Sequence, residues 1–587
     1  MTAIHLQLTE AVGNAFAALS LSADFGLVSR SSRDGSAPFQ CNGCMAAAKL
    51  AKSNPRELAA RIADELKDHP LIASLEIAGP GFLNITPAPD LLATQANALA
   101  ADARTGASRV GDPKKIVIDF GGPNVAKPMH VGHLRSSVIG DALQRLLRFV
   151  GHDVVSDIHL GDWGLQMGQL ITELQIEQPD LIYFDADFGG PWPDNAPVDI
   201  DDLSRMYPAA SMACKSDPDR MDIARKATAE LQAGRAGYRA LLDHFIAVSI
   251  AALKIDFGNL GVHFDLWKGE AAVDPLIKLM VEKFKQDGFT EMSQGALIIR
   301  VAEEGDKKEL PPLILISGAG AALYATTDLA TIQDRVQNID PDIILYVVDL
   351  GQASHFEQVF RAAAKTGLFA QEGLEHIKFG TVNGKDGKRF RTRSGGVMRL
   401  SDLLGQANEA AMARLSAAGL ASGMDAEEKS EIARMIGLAA IKFADLRNVR
   451  TTNYVFDIER FTEFEGKTGP YLLYAAVRMK SMLRKAEAAG IIASKIIPEA
   501  GAEKTLVLML DNFDHALKGA TTKRHPHILC EHLYELAQTF SKFYASCPVL
   551  SAESTQLQAS RLNLVQTSLR QLETGLELLG IETPERM

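Results

Sequence analysis

Two histidines three residues apart, His130 and His133, stand in the stretch PNVAKPMHVGH together with Lys127, Pro128 and Gly132. Pro128 forbids helix before it and presets the turn into one, so His130 falls at a helix amino terminus and His133 one turn on, on the same face. Such an end offers free N–H groups and the positive end of the helix dipole, which together seat a phosphate. Two imidazole donors there can hold phosphate oxygens as charge builds in an in-line displacement, and Lys127 adds a fixed charge beside them. Gly132 lets a flat base approach the backbone. The chemistry implied is attack on the α-phosphate of a nucleotide, with pyrophosphate leaving. A pair of surface histidines on a helix cap is the alternative. A strand before and a helix after, in the first crossover of a parallel sheet, favour the chemical reading.

The elements that must hold these residues are legible as a change of period. From Lys115 the short β-branched run KIVIDF leads into the motif and then into the amphipathic helix HLRSSVIGDALQRLLRFVG, followed by the strand DVVSDIHL, the turn GDWG and another helix. An insertion over about 178–310 carries an acidic, Pro-rich loop, FDADFGGPWPDNAPVDIDD, and then helices. The same grammar returns with LILI, the helix LYATTDLATIQDRV, the strand IILYVVD, a helix from about His355 and the strand IKFGTV. Strands alternating with helices predict a doubly wound parallel, Rossmann-like α/β domain over 111–400, with its ligand at the carboxyl ends of the strands. Residues 1–110 read as a small α+β domain closed by the linker ADARTGASRVGDPKK, and 401–587 as an all-α helical bundle.

Composition narrows the classes. The chain has 587 residues, 47% hydrophobic and 23% charged, enough for about three domains with sizeable cores. Five cysteines, at 41, 44, 214, 530 and 547, make no disulfide framework and suit a reducing compartment. Cys41 and Cys44 form a CxxC, but no second pair accompanies it, so it reads as a small-residue helix face and no metal site is expected. No secretory leader and no membrane span is legible, so a cytoplasmic protein is expected. A net charge of −12 argues against indiscriminate nucleic-acid affinity, so any nucleic acid must meet a local basic face.

The stretch PNVAKPMHVGHLRSS resembles the HIGH motif of class I aminoacyl-tRNA synthetases, and DFGGPNVAKP before it is similar to the arginyl-tRNA synthetase form. The resemblance continues through HLGDWGLQMGQL, LYATTDLATIQD, GKDGKRFRTRSGG, TGPYLLYAAVRMKSM and LGIETPERM, and reaches back to CNGCMAAAKLAKSNPRELAARIADEL and AGPGFLNITP. It implies ATP-dependent activation of L-arginine to arginyl-adenylate, then transfer to the 3′-terminal ribose of tRNA(Arg), with tRNA needed even for the first step. It also implies that Tyr324, Asp328 and Gln352 bind the side-chain end of arginine, with Asn124 and His133 near its α-amino and carboxylate groups. Asp119, at the end of the first strand, could serve either end. The residue types agree, because a guanidinium is a permanent planar cation with five donors. Tyr324 and Asp328, spaced i, i+4, share a helix face. A Mg²⁺ ion is expected with ATP, held by phosphates and water.

The second class I signature is a Lys-Met-Ser-Lys-Ser loop, whereas here KRFRTRSGG puts Thr392 at the catalytic second lysine. The resemblance implies that Lys127 supplies the missing charge, with Lys388, Arg391 and Arg393 as further phosphate contacts. For tRNA, the helix YLLYAAVRMKSMLRK places Tyr471, Tyr474, Arg478, Ser481 and Lys485 near one face, mixing aromatic and basic groups as single-stranded RNA contact requires. A core tyrosine seam is the alternative there. The family uses this bundle on the anticodon side and its amino-terminal domain at the outer corner of the tRNA. A monomer is expected. The rivals are a class I synthetase for another amino acid and a catalytically silent relative that binds only RNA or protein.

Overall fold

The computed structural model describes residues 2–31, 37–318, 320–388, 398–420 and 422–587. It divides into two compact units, one made of 110–463 with 578–580, the other of 1–109 with 464–577 and 581–587.

The first unit is built on a parallel four-stranded sheet. Its strands are β1 (Lys115–Asp119), β2 (Asp153–Asp157), β3 (Ile343–Tyr346) and β4 (Leu374–His376), in the order β4-β3-β1-β2. From β1 the chain winds outward to β2 on one side and to β3 and β4 on the other, so the switch point lies between β1 and β3, where such sheets bind ligands. Ile116, Val117 and Ile118 of β1 are buried, as a strand covered on both faces requires. Behind β1 runs helix α1 (Val131–Val150), so close that a Cβ at Gly140 would lie 2.2 Å from the Phe120 ring. Ser136 of α1 donates its hydroxyl to Val347 O (2.6 Å) and accepts the Gly121 N–H (2.8 Å), tying the motif helix to the loops after β1 and β3.

Helices α2 (Ile200–Ser216) and α3 (Glu270–Gln286) belong to the stretch read as an insertion. That stretch ends earlier than 310. Leu266 already pairs with Asp157 and Gly269 with Leu160, in parallel bridges that extend the sheet beyond β2. The LILI strand also differs from expectation. Leu313–Ile316 is antiparallel to Ala296–Ile299 in a separate three-stranded sheet. A short apolar run reads the same whether its partner is parallel or antiparallel. Beyond it come α4 (Tyr324–Asn338) and α5 (Ala353–Lys365), which cover the sheet with Leu329, Ile332, Val359 and Phe360 buried.

The boundary at 401 is the main correction. Helices α6 (Leu400–Ala417) and α7 (Ala426–Leu446) pack in the unit of the parallel sheet, which runs on to Glu463. Buried charges explain why. Arg135 of α1 pairs with Asp445 of α7 at 3.1 Å, both almost wholly buried, and gives its Nη1 to the carbonyls of Gly380 and Thr452 at 2.9 Å. Splitting α7 away would leave that pair without partners, at several kcal/mol.

In the second unit an antiparallel sheet, ordered 28–30, 39–41, 82–87, 72–78, packs with the helices 4–18, 43–51, 55–65 and 89–101. The helical region joins this same unit: Asp511 accepts from Gln95 Nε2 (2.6 Å) and from the Ile4 N–H (3.0 Å), and Arg570 reaches Ala100 O (3.0 Å). Residues 1–109 and 464–577 thus lie in one compact unit. No helix among the described residues is long and apolar enough to cross a membrane.

Candidate active site

The motif stretch forms an N-terminus capped by its own histidines. His130 is the N-cap residue of α1, and its Nδ1 accepts the N–H of Gly132 at 3.0 Å. His133 Nδ1 accepts the N–H of His130 at 3.2 Å, and the two rings stack with centroids 3.9 Å apart. Each Nδ1 is thus an acceptor, so each imidazole carries its proton on Nε2, as one N–H donor. Burial pushes both below the usual histidine range, with Lys127 adding to it for both, and His133 falls to about 3. The pair is neutral at physiological pH and acts by hydrogen bonding. Gly132 has a different reason to be glycine than the one expected. A Cβ there would lie 2.7 Å from the His130 ring, so the position is taken by the capping imidazole.

The loop before the helix is held from several sides. Asn124 bridges to Gly161 of the GDWG turn, where a Cβ would lie 2.2 Å from Asn124 Oδ1. Ala126 adopts φ +63° and gives its N–H to Ser249 Oγ (3.0 Å), which turns the chain toward Pro128. Lys127 Nζ lies 4.4 Å from the centre of the Tyr207 ring, on α2. After the segment 389–397, the chain returns against the motif: Val131 N–H bonds Met398 O (3.1 Å) and Leu400 N–H bonds Met129 O (2.9 Å). Lys388 is exposed at the other end of that segment, whereas Arg391 and Arg393 lie outside the described residues.

Tyr324 and Asp328 occupy the first turns of α4. Tyr324 is 70% exposed, available to a ligand, and Asp328 is half-buried. Asp328 Oδ2 takes a hydrogen bond from His355 Nε2 at 2.6 Å, which raises the His355 pKa. Gln352 is exposed at the head of α5, one turn before His355.

Glu270, the first residue of α3, was placed by the sequence inside the insertion and so escaped notice. Burial first, with Asp328 and Asp162 adding to it, pushes its carboxyl up to about 8. Glu270 also raises the Tyr324 phenol, behind the effect of burial. Asp162 itself is raised to about 6 by burial, although it accepts the Ala271 N–H (2.8 Å) at the start of α3. A buried neutral carboxyl beside a carboxylate is poised for a cation. When one binds, Glu270 loses its proton, so affinity for a cationic ligand rises with pH up to about 8 and flattens above it. Calorimetric titration with arginine between pH 6 and 8 is expected to show proton release, seen as buffer-dependent heats, and Glu270→Gln is expected to remove it. Buffer-independent heats in the unsubstituted protein would contradict this.

Asp119, expected at the substrate, is largely engaged elsewhere. It is buried, and Arg335 of α4 donates to its Oδ2 (2.6 Å) and to Asp157 Oδ2 (2.8 Å) while lying over Tyr346. Burial opposes the Arg335 charge, but the two carboxylates more than restore it. Asp119 pairs in register with both Asp157 and Tyr346, so one guanidinium spans the carboxyl ends of three neighbouring strands.

On the other unit, the helix Gly469–Ala488 presents Tyr474, Arg478 and Lys485 exposed and Tyr471 half-buried. Arg478 stacks on Tyr544 at 3.9 Å and Tyr471 meets Tyr534 edge-on at 5.7 Å, so the aromatic groups continue onto a second helix, His527–Ser546. The face is open rather than a core seam.

The family model described as "tRNA synthetases class I (R), catalytic domain" matches residues 94–458, that for the "DALR anticodon binding domain" 472–587, and that for the "Arginyl tRNA synthetase N terminal domain" 3–86. Among curated proteins, the arginine–tRNA ligase of Maricaulis maris is 62% identical over the whole of both chains, and that of Hyphomonas neptunium is 58% identical, again over both. The fold is shared with solved arginyl-tRNA synthetases from Plasmodium falciparum (TM-score 0.82, 23% identity, all of both chains) and Thermus thermophilus (TM-score 0.78, 24% identity, 99% and 100% of the two chains). A histidine-capped motif helix at the switch point of a parallel sheet, the matching family models and 62% identity over the full length of a curated relative lead to one placement: the chain belongs to the arginyl-tRNA synthetase family of class I.

Proposed function

We propose that the chain is an arginine–tRNA ligase that joins L-arginine to ATP as arginyl-adenylate and then passes the arginyl group to the 3′-terminal ribose of tRNA(Arg). The observation that carries the choice of amino acid is the hydrogen-bonded pair His355–Asp328 beside Tyr324 and Glu270, whose charges act on one another, an acceptor-rich group of side chains suited to a planar cation. Asp328, Glu270, Tyr324 and Gln352 take the guanidinium end, and Asn124 and His133 the α-amino and carboxylate end. The arginine carboxylate attacks the α-phosphorus, the bond to the bridging oxygen breaks, and pyrophosphate leaves. The Nε2–H donors of His130 and His133 follow the growing charge on the phosphate oxygens. Among the described residues no cluster of three or more His, Cys, Asp or Glu side chains could hold a metal ion. The Mg²⁺ that accompanies ATP is assigned to phosphates and water, and Lys388, Arg391 and Arg393 are assigned as further phosphate contacts.

Lys127 is assigned the role of the lysine missing from KRFRTRSGG. Lys127→Ala is expected to slow adenylate formation by roughly 100-fold while the arginine KM changes less than threefold, the pattern of a group acting only in the transition state. Activation near the unsubstituted rate would remove that assignment. The exposed face of Tyr471, Tyr474, Arg478 and Lys485 is assigned to tRNA on the anticodon side, and residues 3–86 to its outer corner. The protein is further read as a cytoplasmic monomer, which light scattering on the purified chain tests.

The test of the function is ATP–pyrophosphate exchange with each of the twenty amino acids, with and without total tRNA. Exchange with arginine alone, and only in the presence of tRNA, is expected. Exchange with another amino acid would overturn the substrate, and none at all would leave a silent RNA-binding relative.

A further inference from the structure

Asp328 is not free to turn. A carboxylate has broad torsional freedom about its last bond, whereas a guanidinium must meet its acceptor edge-on, in one plane. His355 Nε2 donates to Asp328 Oδ2 at 2.6 Å and so fixes one oxygen, leaving Oδ1 and the plane of the group set. The imidazole is itself held. Its ring meets Phe356 edge-on at 5.4 Å, and Phe356 packs against Tyr346 at 5.0 Å and His376 at 4.9 Å, on the ends of β3 and β4. His355 also lies one helical turn after Gln352, so the same end of α5 brings one residue to the ligand and one to its acceptor.

We propose that His355 is a positioning residue for arginine recognition, acting through Asp328 by holding its carboxylate in the plane that a guanidinium requires. The proposal rests on the assignment of Asp328 to the guanidinium. It assigns His355 no contact with ATP or with the reacting phosphate.

The test is steady-state aminoacylation of tRNA(Arg) by the full chain at saturating ATP and tRNA. His355→Ala is expected to raise the arginine KM by roughly 10- to 100-fold, the usual effect of losing an outer-shell hydrogen bond, while kcat falls less than threefold and the ATP KM stays within twofold. His355→Gln, whose amide N–H reaches the place of Nε2, is expected to recover most of that loss. Adding His355→Ala to Asp328→Ala should change the arginine KM no further. An arginine KM within twofold in His355→Ala overturns the proposal, as does a fall in kcat matched by thermal destabilisation with no recovery in His355→Gln. If Asp328→Ala itself leaves the arginine KM unchanged, the assignment of Asp328 fails. If it raises the KM and His355→Ala does not, only the role of His355 falls.

Discussion

Replacing Asp328 by alanine is expected to lower kcat/KM for arginine by roughly 10² to 10⁴, the largest loss from any single change in the amino acid pocket. The carboxylate is half-buried, and one of its oxygens is already committed to His355. Removing it leaves a guanidinium to be desolvated without its charged acceptor, and strands the His355 donor as well. Truncating one member of a hydrogen-bonded charge pair costs about 2–5 kcal/mol, most of it from the partner left behind. Glu270 softens the loss, because with Asp328 gone its carboxyl no longer faces that neighbouring charge and ionises more readily. The KM for ATP is expected to stay within threefold. Aminoacylation kinetics with arginine and ATP varied in turn measures both, and a loss shared equally by the two substrates would point to misfolding rather than recognition.

Arg335→Met is expected to destabilise the parallel-sheet unit by about 3–5 kcal/mol. Methionine nearly fills the space, so packing is mostly kept, and what disappears is the charge between Asp119 and Asp157. These two carboxylates end adjacent strands in direct register and would then face each other in a dry interior. At least one must take up a proton to stay folded, while both are ionised in the unfolded chain above about pH 4. The folded variant then binds more protons than the unfolded chain, so its stability falls as pH rises. Urea unfolding at pH 5 and pH 8 checks this. A variant within 1 kcal/mol of the unsubstituted protein at both, or one more stable at pH 8, would show that the triad is not what holds these strand ends.

How far the sequence foretold this can be seen residue by residue. The motif stretch was legible because proline and glycine fix backbone directions locally, and His130 did fall at the start of α1 with His133 stacked on it. The parallel sheet followed from alternation of period. Tyr324 and Asp328 share a face because helical spacing alone decides that. What stayed hidden depends on pairing across long chain distances. Nothing local distinguishes LILI in an antiparallel sheet from LILI in a parallel one. Nothing in the helices between 400 and 446 reveals that Asp445 is the counter-charge of Arg135, 310 residues earlier. Glu270 was lost for a similar reason, because residues 264–269 return to the edge of the sheet after a helical excursion and carry it to the site. Asp119, at the end of β1, could serve either end of the substrate, and its partner Arg335 on α4 lies 216 residues away, beyond any local signal.

That partner sets a limit on how such a site can drift over evolutionary time. Tyr324, Asp328 and Arg335 are separated by four and seven residues, close to whole numbers of turns, and so lie along one stripe of α4. Side chains in the first turns can be exchanged while Arg335 keeps the frame in place. Insertion or deletion of one residue between 328 and 335 rotates Tyr324 and Asp328 by about 100° relative to Arg335 and displaces both ends at once. Lineages that retain this fold are thus expected to vary in what the stripe says and hardly at all in how long it is.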